Sequence, residues 1–330
     1  MLELKQDKLM FRFPELHKDA VCSIEFQRTL RIPDDNREYP LPPGLGRFPL
    51  EHTEDHNSKL PPQWAEHGGV LLPMYQSEAL WMNFSGGYPC AIKIATGKIN
   101  AVTGKQWTND LVKNPQDYLV VPDQPWLDGY CVQKGLIRQF VAMPLGAGYT
   151  AEEQLTGKAE HGGLQIVVYP MKRGHYEAMM KRKSHRYHED LCSSIHEMSA
   201  PNEMGLAPGG LMRQEIYEDE YGFDAWDLDA SSRCFVHILN SDQWNEVTGK
   251  PIPGSPPSAV DYTEAGLPWF EYYDDKLNPL QGSTELSGLD SVAAKTIKKG
   301  EKPMGENEPV TPQNVESLSL PSSKVVDGEW

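Results

Sequence analysis

The sequence predicts a β-rich α+β protein: antiparallel sheet folded on tight turns, one peripheral helix, and long proline-laden arms. Three observations predict it. The triplet Thr-Gly-Lys occurs at 96–98, 103–105, 156–158 and 248–250, each time after an apolar or small residue (Ala95, Val102, Leu155, Val247). A glycine behind a turn-tolerant polar residue suits the left-handed position of a hairpin with a bulge. The 28 glycines and 27 prolines among 330 residues call for frequent reversals and extended connections. Several apolar segments alternate with a period of two, the signature of a half-buried strand.

The elements follow in order. Residues 21–32 alternate, with Ile24, Phe26, Arg28 and Leu30 on one side and Glu25, Gln27, Thr29 and Arg31 on the other. Residues 33–62 are proline-dense and read as an extended surface arm. Strand signals resume at 70–75 and 79–84, and 90–102 reads as a meander turning at Thr96-Gly97. Residues 118–121, 135–143 and 164–169 continue the strand pattern. Thr150 with Glu153 matches a capping box. The longest helical signal covers 176–198; it is polar nearly all round, hence peripheral. A Gly/Pro/Met loop follows over 200–210, and 234–239 is the clearest later strand. The expected organisation is one β-rich globular domain over 1–275, with a candidate hinge at 199–211, then an extended low-complexity tail over 276–330 poor in core-forming residues.

Charge narrows the function classes. The chain carries a net charge of −16, and residues 211–275 hold 14 Asp or Glu against 3 Lys or Arg. That balance argues against a nucleic-acid or anionic-membrane surface, which needs clustered cations. No apolar run reaches the roughly 18–20 residues of a membrane helix, and the opening residues lack the apolar core of a signal peptide. Cys22, Cys90, Cys131, Cys192 and Cys234 are widely spread with no C-x-x-C pair, the usage of a reducing compartment. A cytoplasmic protein is expected.

Candidate sites follow from residue type and spacing. Asp123 and Asp128 flank Trp126 in a turn-rich loop, a pattern that suits acid/base chemistry on a sugar with the indole stacking on its ring. Arg138 and Gln139 on the next strand, and Glu153, are candidate supporting groups. His185, His188, Cys192 and His196 share one helical face and are candidate zinc ligands. His52 and His56 repeat the spacing inside the proline-dense stretch. The glycines at 146 and 148 make only a lone G-x-G, which reads as a turn. The acidic, aromatic run 215–229 lacks the register of a calcium loop and reads as an electrostatic partner for the basic residues of 172–186.

These features support three expectations. The first is a non-enzymatic, self-associating protein, a homo-oligomer whose arms and acidic face make subunit contacts, with no cofactor. The second is a carbohydrate-binding module or carboxylate-dependent glycan-active enzyme using Asp123, Trp126, Asp128 and Arg138. The third is a zinc-binding protein.

Overall fold

The computed structural model describes residues 1–183, 203–272, 274 and 276–318. The chain starts as a hairpin of β1 (Leu2–Lys5) and β2 (Lys8–Arg12), reversed through Gln6 and Asp7 at φ of 52° and 58°. Then come β3 (Val21–Thr29), β4 (Glu38–Tyr39), β5 (Gly44–Arg47) and β6 (Glu51–His52). Helix α1 (Pro62–His67) precedes β7 (Val70–Met74), β8 (Ala79–Ser85), β9 (Cys90–Thr96) and β10 (Ile99–Asn100). After a long loop come β11 (Leu119–Val121), β12 (Trp126–Leu127), β13 (Gly129–Gln133) and β14 (Leu136–Pro144). Helix α2 (Ala151–Thr156), β15 (Leu164–Pro170) and helix α3 (Arg173–Lys183) lead to β16 (Glu203–Arg213) and β17 (Ser232–Asn240). Helices α4 (Trp244–Thr248) and α5 (Ala259–Glu264), strand β18 (Trp269–Tyr272), helices α6 (Thr284–Ser287) and α7 (Val292–Lys298), and β19 (Val315–Leu318) complete it.

Pairing is antiparallel along β2–β3–β8–β14–β16–β17–β15–β9–β11. Strands β4 and β7 join β16 and β17 in parallel, and β18 pairs in parallel with β19 as a separate ribbon. The period-two alternation decides which face is buried. Ile24 and Phe26 of β3 sit opposite Phe84 and Met82 of β8, all in the core. Their neighbours Glu25 and Gln27 sit opposite Asn83 and Trp81 on the other face. Among the described residues no helix is long and apolar enough to cross a membrane.

The Thr-Gly-Lys glycines do two different jobs. Gly97 and Lys98, at φ of 51° and 58°, reverse the chain between β9 and β10. Gly157 and Gly249 instead end helices α2 and α4 in the left-handed conformation. Both uses need a residue without a Cβ penalty at positive φ, so the triplet alone does not distinguish hairpin from helix end.

Three further expectations change. Residues 203–210, read as loop and hinge, lie inside β16. Their glycines serve close approach rather than reversal: a Cβ at Gly209 would meet Val141 Cγ2 at 2.5 Å, and one at Gly210 would meet Pro33 O at 2.4 Å. The proline-dense stretch lays its apolar side chains on its own body, with Tyr39, Leu41, Phe48 and Leu50 buried. Residues 276–318 do the same: Leu286, Leu289, Val292, Ala293 and Val310 are buried, and Ser283 and Ser291 cap α6 and α7. A few well-spaced apolar residues suffice because the surface that receives them already exists. The helix signalled at 176–198 begins at Arg173 and is described through Lys183; its remainder, with His185, His188, Cys192 and His196, lies outside the described residues.

Candidate functional site

Three glutamine side chains stitch residues 114–128 to residues 214–229. Gln116 donates to the carbonyls of Tyr118 (2.8 Å) and Tyr217 (3.1 Å) and accepts the Asp219 N–H (2.9 Å). Gln124 donates to the carbonyls of Trp126 (3.0 Å) and Glu215 (3.2 Å) and accepts the Tyr217 N–H (3.0 Å). Gln214 accepts the Asp128 N–H (3.0 Å) and donates to Asp128 Oδ2 (2.8 Å). A primary amide donates and accepts at once, so it can replace missing strand ladder between irregular segments.

Along this seam the acidic, aromatic run becomes structural. Asp219 accepts from the Tyr118 hydroxyl (2.7 Å), the Trp226 indole N–H (2.9 Å), and the N–H groups of Tyr221 (2.9 Å) and Gly222 (3.1 Å). With both oxygens engaged, Asp219 organises the aromatic rings of Tyr118, Phe223 and Trp226 around it. Lys172, from the basic stretch, reaches the Asp224 carbonyl (3.0 Å).

On the sheet face next to the seam, Trp126 packs edge-on against Tyr272 (4.7 Å between ring centres, 61°) and Trp81 (6.5 Å, 82°). These rings come from β12, β18 and β8, and all three are half-buried. Trp81 lies over the backbone of Gly44, where a Cβ would stand 3.2 Å from its ring. Its indole N–H is buried with no hydrogen-bond partner. Cross-strand register sets Lys8, Glu25, Asn83 and Trp126 in one row across β2, β3, β8 and β12, and Gln27 beside Trp81. Directly opposed residues point to the same face. Asp123 stands at the margin, accepting from the Tyr221 hydroxyl (3.4 Å), and its charge helps burial to raise the Tyr272 phenol.

Behind this group Asp128 is 4% exposed. Burial raises its carboxyl to about 7, although the Gln214 amide and the Trp126 indole N–H both favour the ionised form. Desolvation outweighs two hydrogen-bond donors because the side chain is wholly enclosed. Asp128 is therefore enclosed against Gln214 and does not reach the surface.

The residues predicted from sequence thus divide. Asp123, Trp126 and Asp128 gather at one place. Arg138 lies elsewhere, facing Asp34 (3.7 Å) and donating to the Gly209 carbonyl (3.1 Å). Gln139 is fully buried, bonded to the backbone of Leu30 and Ile32 (2.9 and 3.0 Å). Glu153 completes the capping box with Thr150 and takes the Gly148 N–H (2.6 Å), which accounts for the G-x-G turn. His56 faces Glu51 (3.6 Å) in a 3-10 turn. Among the described residues no group of three His, Cys, Asp or Glu side chains is arranged to hold a metal ion. Trp81, Tyr272 and Asn83 escaped sequence reasoning; for Trp81 the signal was its place on the polar phase of an alternating strand, Ala79–Ser85.

Comparison with protein-family models, with curated proteins and with solved structures finds no match for this chain.

Proposed function

We propose that this chain is a non-catalytic saccharide-binding module, with Trp126, Tyr272 and Trp81 offering the apolar surface for a sugar ring. Asp123, Asn83 and Gln27 flank that surface with groups that meet hydroxyls. The carrying observation is that three strands distant in sequence bring three partly open aromatic rings into contact beside a carboxylate. Sugar faces are apolar and their edges polar, so such a surface recognises them at low entropic cost. Binding is favoured over hydrolysis because a glycosidase needs two carboxyl groups flanking the scissile bond. Asp128 is enclosed, and Glu153 is committed to its helix cap.

Calorimetric titration with a panel of cello-, xylo-, chito- and manno-oligosaccharides tests the reading. At least one binds, and Trp126→Ala weakens that binding by about tenfold or more, the scale of one lost ring contact. A panel with no binding member overturns it.

A second reading, self-association as a homo-oligomer, is favoured by one feature. Strand β19 is exposed along its whole length and, among the described residues, is paired on one side only, to β18. An open edge of this kind is a template for another strand. Light scattering across a concentration series, with and without residues 315–330, separates the two readings.

A further inference from the structure

Away from the aromatic face, a cleft of about 500 Å³ opens between residues 102–118, 218–223 and 280–285. Its three walls are fixed to one another. The loop over 105–117 is held by Lys93, 1% exposed, which pairs with Asp117 (2.6 Å), donates to Thr108 Oγ1 (2.9 Å) and lies 5.3 Å from the Trp107 ring centre. Asp117 also accepts the Val112 N–H (2.8 Å). The Tyr118 hydroxyl ties this wall to Asp219, and Ser283 Oγ donates to the Thr103 carbonyl (2.6 Å). Gly282, at φ of 80°, lies where a Cβ would come 2.5 Å from the Gln133 backbone. The cleft is therefore preorganised, and its size is that of a small-molecule pocket.

Its charges are the informative part. Asp219 is used up by four donors. The side chains of Lys105, Lys113, Glu218 and Glu285 line the cleft, are exposed, and have no hydrogen-bond or ion-pair partner among the described residues. Counting Asp219, whose four donors are all uncharged, the cleft lining carries two cations against three carboxylates, a formal balance of −1 with both signs exposed at one mouth. A ligand of one charge sign would meet repulsion as well as attraction there, whereas a ligand carrying both signs satisfies both pairs. Phe223, Leu280 and Pro115 supply apolar wall, and Asn114 and Gln281 supply neutral hydrogen-bonding groups.

We propose that this cleft binds a small zwitterion of the amino-acid or dipeptide class, its carboxylate toward Lys105 and Lys113 and its ammonium toward Glu218 and Glu285. The site is separate from the aromatic face and stands whether or not that face binds saccharide.

The test is calorimetric titration of the full chain with free amino acids and with the dipeptides Gly-Leu, Ala-Phe, Gly-Glu and Gly-Lys. Each ligand that binds is compared with its N-acetyl and C-amide derivatives. At least one free ligand binds with a Kd below about 1 mM, and removing either charge weakens it by about tenfold or more. Glu285→Gln weakens the free ligand more than the N-acetyl form, Lys113→Met weakens it more than the C-amide form, and Trp126→Ala changes nothing. These residues are exposed, and an unchanged melting temperature confirms that the variants fold. Absence of binding by every free ligand, or equal affinity for free and singly charged forms, overturns the proposal.

Discussion

Gln214 and Asp128 hold each other through reciprocal hydrogen bonds, the Asp128 N–H to Gln214 Oε1 at 3.0 Å and Gln214 Nε2 to Asp128 Oδ2 at 2.8 Å. Gln214 also reaches the Trp126 carbonyl (3.4 Å), so the pair joins β12–β13 to the end of β16. Gln214→Leu leaves an enclosed carboxylate and a backbone N–H without their partner, so it costs about 2–4 kcal/mol in urea denaturation at neutral pH. An exposed glutamine would cost close to nothing on the same change.

Asp128 and His237 titrate in opposite senses within one pH window. The folded Asp128 carboxyl titrates at about 7, against 3.8 for its ordinary value. Below about pH 4 both states hold the proton and the cost is absent. As pH rises toward 7 the unfolded chain releases a proton that the folded chain keeps, and stability falls by an amount on the order of 4 kcal/mol. Asp128→Asn removes that loss, so the variant gains stability over the parent as pH is raised from 5 to 8. Identical pH dependence of the two proteins would contradict the assignment.

His237 works the other way. Burial, assisted by the nearby His67, lowers it from 6.5 to about 4, while its bond to the Gly68 carbonyl (3.0 Å) opposes the shift. Its ring stacks on Trp64 at 4.5 Å. As pH falls from 6.5 to 4 the unfolded imidazole takes a proton that the folded one refuses, and stability drops by an amount on the order of 3 kcal/mol. The parent's stability curve is therefore flattened by two opposed slopes. Asp128→Asn steepens the acid loss, and His237→Phe exposes the rise toward low pH that Asp128 produces.

Among the described residues Lys93 is the most deeply enclosed Lys or Arg, and Asp117 beside it is raised by burial in spite of that partner. Lys93→Met strands the carboxylate and costs about 3–5 kcal/mol; adding Asp117→Leu recovers most of it. Chemical denaturation of both single variants and the double variant measures the coupling.

The segment after residue 276 carries a prediction that composition alone would reverse. Leu286 is 0% exposed, so Leu286→Ala costs about 2–4 kcal/mol by denaturation. A free tail would show no effect.

Much of the sheet was legible in the sequence because alternation dictates burial: Ile24 and Phe26 face the core, and Glu25 and Gln27 face out. Thr150 and Glu153 were legible as a capping box because both partners lie within four residues. Burial of the tail was not, since Leu286 and Val292 have value only against a surface made elsewhere in the chain. Gly209 and Gly210 misled because glycine permits a reversal and a close strand contact equally. At the candidate site, Asp123, Trp126 and Asp128 were legible as a local cluster. Trp81 and Tyr272 were not: Trp81 meets Trp126 through the pairing of β8 with β12, and Tyr272 reaches it by packing of the separate β18 ribbon, both more than 40 residues away in sequence. The partners of Arg138 and Glu153, Asp34 and the Gly148 amide, were likewise not legible from spacing alone.

The aromatic face is tested most directly by nitrogen–proton correlation spectra of the indole N–H groups, eight in all, during titration with the tightest-binding oligosaccharide. Once variants assign the peaks, the account predicts that the Trp81 and Trp126 resonances move in step with binding while those of the enclosed Trp226, Trp244 and Trp269 stay fixed. Saccharide binding that leaves both Trp81 and Trp126 unmoved would contradict it.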